Sequence, residues 1–125
     1  MNEMSSIKPL SGVTVVEIGH SIAAPFAGMV LGELGADVIK VENPNGGDAC
    51  RGWGPPFAAE DGAATCFHAV NRAKRGITID LGDPEEAARL RALILERADV
   101  VVHNLKFGAL DRYGIGAAEL TAGKP

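Results

Sequence analysis

Residues 17–42 read EIGHSIAAPFAGMVLGELGADVIKVE, a strand-like end, a loop of small and polar residues, an apolar helix and a second strand. The loop between strand and helix is where such a unit does chemistry. Unpaired N–H groups and a partial positive charge at a helix N-terminus attract anions and carbonyl oxygens. A dinucleotide cradle needs G-x-G-x-x-G at this point, so that backbone can approach a pyrophosphate. Here the turn offers only Gly19, followed by His20, Ser21, Ile22, Ala23, Ala24 and Pro25, and Gly28 already falls inside the helix. The ordinary NAD or FAD reading fails on its most specific residues, and an anionic or carbonyl ligand of another kind remains.

Other residue types able to do chemistry are scattered. His20, His68 and His103 with Cys50 and Cys66 match no zinc-ligand spacing, so no metal is expected. Lys74 and Arg75, in NRAKRG, read either as a solvated turn or as a phosphate clamp. Trp53, in RGWGPP, reads first as a packing anchor for a long loop, with an aromatic face for an adenine as the alternative.

The elements that must position these residues alternate. Val13 to Ile18 (VTVVEI) is short and β-branched; Pro25 to Leu34 predicts a helix, with a first-turn proline and Gly35 just past its end. Asp37 to Glu42 predicts a second strand, and Ile77 to Leu81 a third. Residues 43–76 are rich in glycine, proline and polar side chains, too long for a passive connection, with a short helix expected over Ala63 to Val70. Asp83-Pro84-Glu85-Glu86 supplies an N-cap, a first-turn proline and two carboxylates suited to the helix dipole. Ala87, Leu90, Leu93, Ile94 and Arg97 then follow at helical spacing, and Asp99 to His103 predicts a fourth strand. Strands joined by helices imply parallel neighbours, hence a Rossmann-like, doubly wound, mainly parallel α/β sheet. Ligands bind such sheets beyond the carboxyl ends of the strands, which places the loops at 19–25, 43–48, 81–83 and 103–108 on one rim. After Tyr113 the helix signal is weak and no closing element is expected, as in a segment of a longer chain.

Composition bounds the function. The 125 residues, 46% hydrophobic and 22% charged, suit one globular domain that buries roughly two thirds of its unfolded surface. A net charge of −4 argues against a nucleic-acid partner. No apolar run reaches the ~20 residues that span a bilayer, no secretory leader is evident, and the two cysteines lack a C-x-x-C companion. The expected setting is cytoplasmic, with reduced thiols.

The segments PLSGVTVVEIGH (9–20), AAPFAGMVLGELGADVIKVENP (23–44), GD...RGWGPPF (47–57), NRAKRGITIDL (71–81) and ADVVVHNLKFGALDRYGIG (98–116), in this order and spacing, resemble the N-terminal part of the class III coenzyme A transferases. That family includes formyl-CoA:oxalate and carnitine CoA-transferases and the α-methylacyl-CoA racemases. The resemblance implies that residues 1–125 are the N-terminal coenzyme A-binding portion of a longer chain. The activity it implies is transfer of coenzyme A from an acyl-CoA donor to a carboxylic acid acceptor, with acyl-CoA racemization and non-catalytic nucleotide binding as alternatives.

Site residues follow from the resemblance position by position. The loop after the first strand places His20, Ile22 and Ala23 at coenzyme A, and the loop after the fourth places Asn104, Leu105 and Lys106 there. Arg112 falls on an arginine that reaches the coenzyme's phosphates, where a guanidinium offers a bidentate donor fork. Two positions depart from the pattern: Asn43 stands where a basic residue follows the second-strand glutamate, and Gly82 where a lysine follows the third strand. The family's nucleophile, an aspartate that attacks the thioester, is expected beyond residue 125, so no catalytic residue is assigned within this segment and the segment alone is expected to be inactive. Full-length relatives form interlinked homodimers, which a segment of this size is not expected to complete.

Overall fold

A computed structural model describes residues 7–125; the first six residues of the expected 1–125 unit lie outside the described residues. Four strands, β1 (Thr14–Glu17), β2 (Asp37–Glu42), β3 (Lys74–Thr78) and β4 (Val100–Val102), form one sheet in the order β3-β2-β1-β4. All three pairings are parallel. Four helices connect and flank them: α1 (Ala23–Glu33), α2 (Thr65–Asn71), α3 (Pro84–Arg97) and α4 (Ala117–Gly123). The expected doubly wound α/β class is what the chain adopts.

The two-residue period of the strands sorts side chains onto two faces. Val16, Ile18, Ile39 and Val41 point to the α3 face, where they pack with Leu90, Ile94, Ala98, Leu110 and Ile115. Val15 and Val38 point to the opposite face, with Ala36 and, at its edge, Leu31 of α1. Both faces of β1 and β2 are therefore covered, the usual requirement of a parallel sheet. Glu17 and Lys40, paired in register on neighbouring strands, fall on the α1 face and are wholly buried.

Each helix has a local cause. In α3 the Asp83 carboxylate accepts a hydrogen bond from the Glu85 amide, proline occupies the first turn, and Glu85 and Glu86 lie at the positive end of the dipole. Helix α1 ends where Gly35 takes φ +109°, a conformation that side chains disfavour.

Helix α2 starts two residues later than expected and β4 is one residue shorter at each end; three further differences have a physical cause. The third strand runs over Lys74–Thr78, starting three residues before the expected Ile77–Leu81. Its charged start is compatible with pairing because β3 is an edge strand: Lys74 turns inward to a carboxylate, and Arg75 pairs with Asp37 at 2.9 Å across β2. Helix α1 begins at Ala23, two residues before the expected Pro25, which loses nothing because first-turn amides have no partner in the helix. Beyond Tyr113 there is a regular element after all, α4, held against α3 by Lys124 donating to the Ala98 carbonyl at 2.9 Å.

Candidate functional site

The chain leaves β1 toward β2 and β3 on one side and later returns to place β4 on the other. The sheet's topological switch point therefore lies between β1 and β4, where the following loops diverge and a ligand crevice forms. Asn104, just beyond β4, bridges it. Its Nδ2 donates to the His20 carbonyl at 2.8 Å, and its Oδ1 accepts from the His20 amide at 3.1 Å. Gly19 makes the approach possible, since a Cβ there would stand 2.3 Å from the Ala24 Cβ and 2.8 Å from Asn104 Oδ1.

Beneath this loop lies a buried chain of four charges. Lys40 Nζ is 2.7 Å from Glu17 Oε2 and 2.9 Å from Asp48 Oδ2. Lys74 Nζ is 2.6 Å from Glu17 Oε1. The same ammonium is within hydrogen-bond distance of the Pro25 carbonyl (2.8 Å), the Val70 carbonyl (3.0 Å) and Asn71 Oδ1 (2.8 Å), so its three protons serve four acceptors. Two carboxylates and two ammonium groups balance, which is what makes burial of charge tolerable. Burial nevertheless pushes the Lys74 ammonium below the usual lysine range, outweighing the Glu17 carboxylate.

Asp48 connects this chain to the rim. Its Oδ1 accepts from the amides of Ser21 and Cys50, each at 2.9 Å. Ser21 has φ +67°, a strained conformation for a residue with a side chain, and the Asp48 bond helps hold it. Burial raises the Asp48 carboxyl, but the Cys50 amide, the Lys40 ammonium and the Ser21 amide outweigh it and leave it below the ordinary carboxylate range. Glu42 is held low mainly by Arg51, whose Nε and Nη2 both donate to it at 2.8 Å. The Arg51 guanidinium also lies 4.0 Å from the centre of the Phe67 ring.

Two depressions open on the rim. The first, about 290 Å³, has an apolar floor including Ile18, Val41, Ile79 and Leu105, with the carboxylates of Glu42, Asp48 and Asp80 around it. All four loops expected on the rim contribute to it. The second is a shallower depression of about 750 Å³ lined by His20, Asn104, Leu105, Lys106, Phe107 and Arg112, among others. It is the basic one. Among the described residues neither Lys106 nor Arg112 is in an ion pair; Arg112 donates to the Ala109 carbonyl at 3.4 Å and its guanidinium lies 5.3 Å from the centre of the Tyr113 ring.

Five of the residues singled out in the sequence, His20, Asn104, Leu105, Lys106 and Arg112, thus meet around one depression. Ile22 and Ala23 line neither depression; they are exposed at the start of α1. The Asn104 side chain faces backbone, holding the His20 loop. Trp53 does not anchor its loop, being half exposed, and the anchors there are Cys50 and Phe67. Sequence reasoning missed Glu17, Lys40 and Asp48. For Glu17 and Lys40 the available signal was a charge adjoining the valine and isoleucine runs of TVVE and DVIKVE. Among the described residues no helix is long and apolar enough to cross a membrane, and none form a metal-binding cluster.

A four-stranded parallel sheet flanked by helices, with depressions beyond its strand ends, defines a doubly wound α/β protein. The chain belongs to CoA-transferase family III, whose sequence profile matches residues 10–125. It is 46% identical to a succinate–glutarate CoA-transferase of Agrobacterium fabrum, over all of this chain and 32% of that protein. It is 40% identical to the human succinyl-CoA:glutarate CoA-transferase, over 95% of this chain and 26% of that one. The crystal structure of a CAIB/BAIF family protein from Brucella suis superposes with a TM-score of 0.88 at 48% identity, covering 94% of this chain and 31% of that one. The chain thus spans about a third or less of the length of these relatives.

Proposed function

We propose that this chain is the coenzyme A-binding portion of a cytoplasmic CoA-transferase that moves coenzyme A between an acyl-CoA donor and a carboxylic acid acceptor. The observation that carries the reading is the pair of unpaired cations, Lys106 and Arg112, beside the switch-point loop in a member of this family. Coenzyme A presents a diphosphate and a 3′-phosphate, and such groups suit an exposed ammonium and guanidinium. The neighbouring depression supplies carboxylate acceptors over an apolar floor and no free lysine or arginine, which suits a heteroaromatic base with an exocyclic amine and repels phosphate. The relatives named above act, by their names, on succinate and glutarate, which favours a dicarboxylate among the acceptors.

Of the three carboxylates around the first depression, Asp80 closes its own turn, its Oδ1 accepting from the Gly82 amide at 2.9 Å, and the other two are engaged by their neighbours. Asp48 is occupied by two amides and an ammonium, and Glu42 by Arg51. The residues described here bind and orient, and the acyl-transfer nucleophile belongs to a segment outside them.

Calorimetric titration with coenzyme A, dephospho-coenzyme A and NAD tests the reading. Coenzyme A should bind and NAD should not. Removing a charge-assisted hydrogen bond costs roughly 1.5–3 kcal/mol, so Arg112→Ala should weaken coenzyme A about ten- to a hundredfold. If Arg112 meets the 3′-phosphate, the variant also loses its preference for coenzyme A over the dephospho form; if it meets the diphosphate, both weaken alike. Unchanged affinity for both ligands in a folded variant would remove Arg112 from the site.

A further inference from the structure

Cys50 and Cys66 are sixteen residues apart in sequence, yet their sulfurs are 3.2 Å apart. Both are free thiols. Cys50 lies in the short 3-10 helix Ala49–Gly52 and is wholly buried, whereas Cys66 lies in the first turn of α2 and is partly exposed. A disulfide has its sulfurs about 2.05 Å apart, so the pair stands roughly 1.2 Å short of one. The segment between them, 51–65, carries the exposed Trp53 and Phe57, and its ends are brought together where the Ala64 amide donates to the Arg51 carbonyl at 2.8 Å.

We propose that Cys50 and Cys66 are a reversible oxidative cross-linking site, taking hydrogen peroxide or a similar peroxide as oxidant and stapling the 51–65 segment to the base of α2. The partly exposed Cys66 reacts first. Its sulfur attacks a peroxide oxygen, the O–O bond breaks, and the products are Cys66 sulfenic acid and water. The Cys50 sulfur then attacks the Cys66 sulfur; the S–O bond breaks, and the leaving hydroxide takes the Cys50 proton as a second water. Two thiols lose two electrons in all, and one peroxide gains them. Burial pushes the Cys50 thiol up to about 12, which keeps it protonated at neutral pH and leaves the first reaction with peroxide to Cys66. The staple ends next to the rim, because the Cys50 amide shares Asp48 Oδ1 with the amide of Ser21.

The sequence makes the test direct. Trypsin cuts after Lys40, Arg51 and Arg72, so the two cysteines fall in different peptides, 41–51 and 52–72. Native protein is treated with peroxide, the remaining thiols are alkylated under denaturing conditions, and the digest is run without reductant. The expected result is a monomer lighter by two hydrogens, a single linked peptide that dithiothreitol separates, and no linkage in Cys66→Ala. Because folding holds the sulfurs together, linkage in the folded chain should be about tenfold faster or more than in urea. The proposal is overturned if Cys66 gains oxygen while Cys50 still alkylates, if the link joins two chains, if neither thiol reacts, or if the folded and urea-unfolded rates are equal.

Discussion

The Asn104 carboxamide pairs with the amide and the carbonyl of His20 at 3.1 and 2.8 Å, across 84 residues of sequence. The two strands that flank the switch point are thereby joined beyond their ends by one side chain. Asn104→Asp keeps the acceptor and loses the donor, and Asn104→Ala loses both. These bonds are exposed to solvent, so Asn104→Ala should cost only about 1 kcal/mol of stability. The His20 amide, however, should exchange its hydrogen markedly faster in Asn104→Ala than in Asn104→Asp. NMR-detected hydrogen exchange checks the order.

Lys40 is the one cation that both Glu17 and Asp48 share. Lys40→Met leaves Asp48 without an ionic partner in a buried site, and breaking a buried pair from one side costs about 3–5 kcal/mol. Adding Asp48→Asn should recover part of the loss, because the Ser21 and Cys50 amides can still donate to the carboxamide oxygen. Urea unfolding of the two single variants and the double variant gives the coupling directly. Additive losses would mean that Lys40 and Asp48 do not act as a unit.

Gly28 and Gly76 should respond oppositely to alanine. A Cβ at Gly28 would fall 2.1 Å from Glu17 Oε1, whereas at Gly76 nothing lies within 4 Å and φ is ordinary. Gly28→Ala pushes a buried carboxylate off its partners and should cost about 2–4 kcal/mol. Gly76→Ala on the edge strand should stay within about 0.5 kcal/mol of the parent. Denaturant midpoints distinguish them.

How far these residues could be read from sequence depended on which physical signal each carries. Helix α3 was plain because cap, first-turn proline and apolar period agree over Asp83 to Arg97. The shared rim was legible for the same reason, since alternating elements fix which loops gather at the strand ends. Lys74 was not, because charge in a glycine-flanked stretch suggests solvent unless the buried Glu17 facing it is known. Glu17 and Lys40 were opaque for the complementary reason: each is intelligible only once strand register sets it beside its partner, and register is a long-range fact. The 16-residue separation of Cys50 and Cys66 likewise hides a contact made by the fold of the intervening loop.

The acid limb of stability should report on Glu42 and Asp48. Both folded carboxyls lie below their unfolded values, so their contribution is complete above the unfolded range, about 4, and is lost as pH falls through the folded values. Arg51→Met removes the main cause of the Glu42 shift and should move the onset of acid unfolding to higher pH. Circular dichroism through an acid titration measures the onset, and an unchanged onset would dissociate Glu42 from it.

The pairing of Glu17 opposite Lys40 also bears on how the chain finds its fold. Val15, Val16, Val38, Ile39 and Val41 are nearly interchangeable in shape, and valine-rich strands can align in more than one way. A slip of β1 by a single residue would exchange its two faces and drive Glu17 among Leu90 and Ile94, away from any ammonium. Misaligned pairing would therefore bury a bare carboxylate in hydrocarbon, so the two charges act as a key that admits one alignment of the central strands.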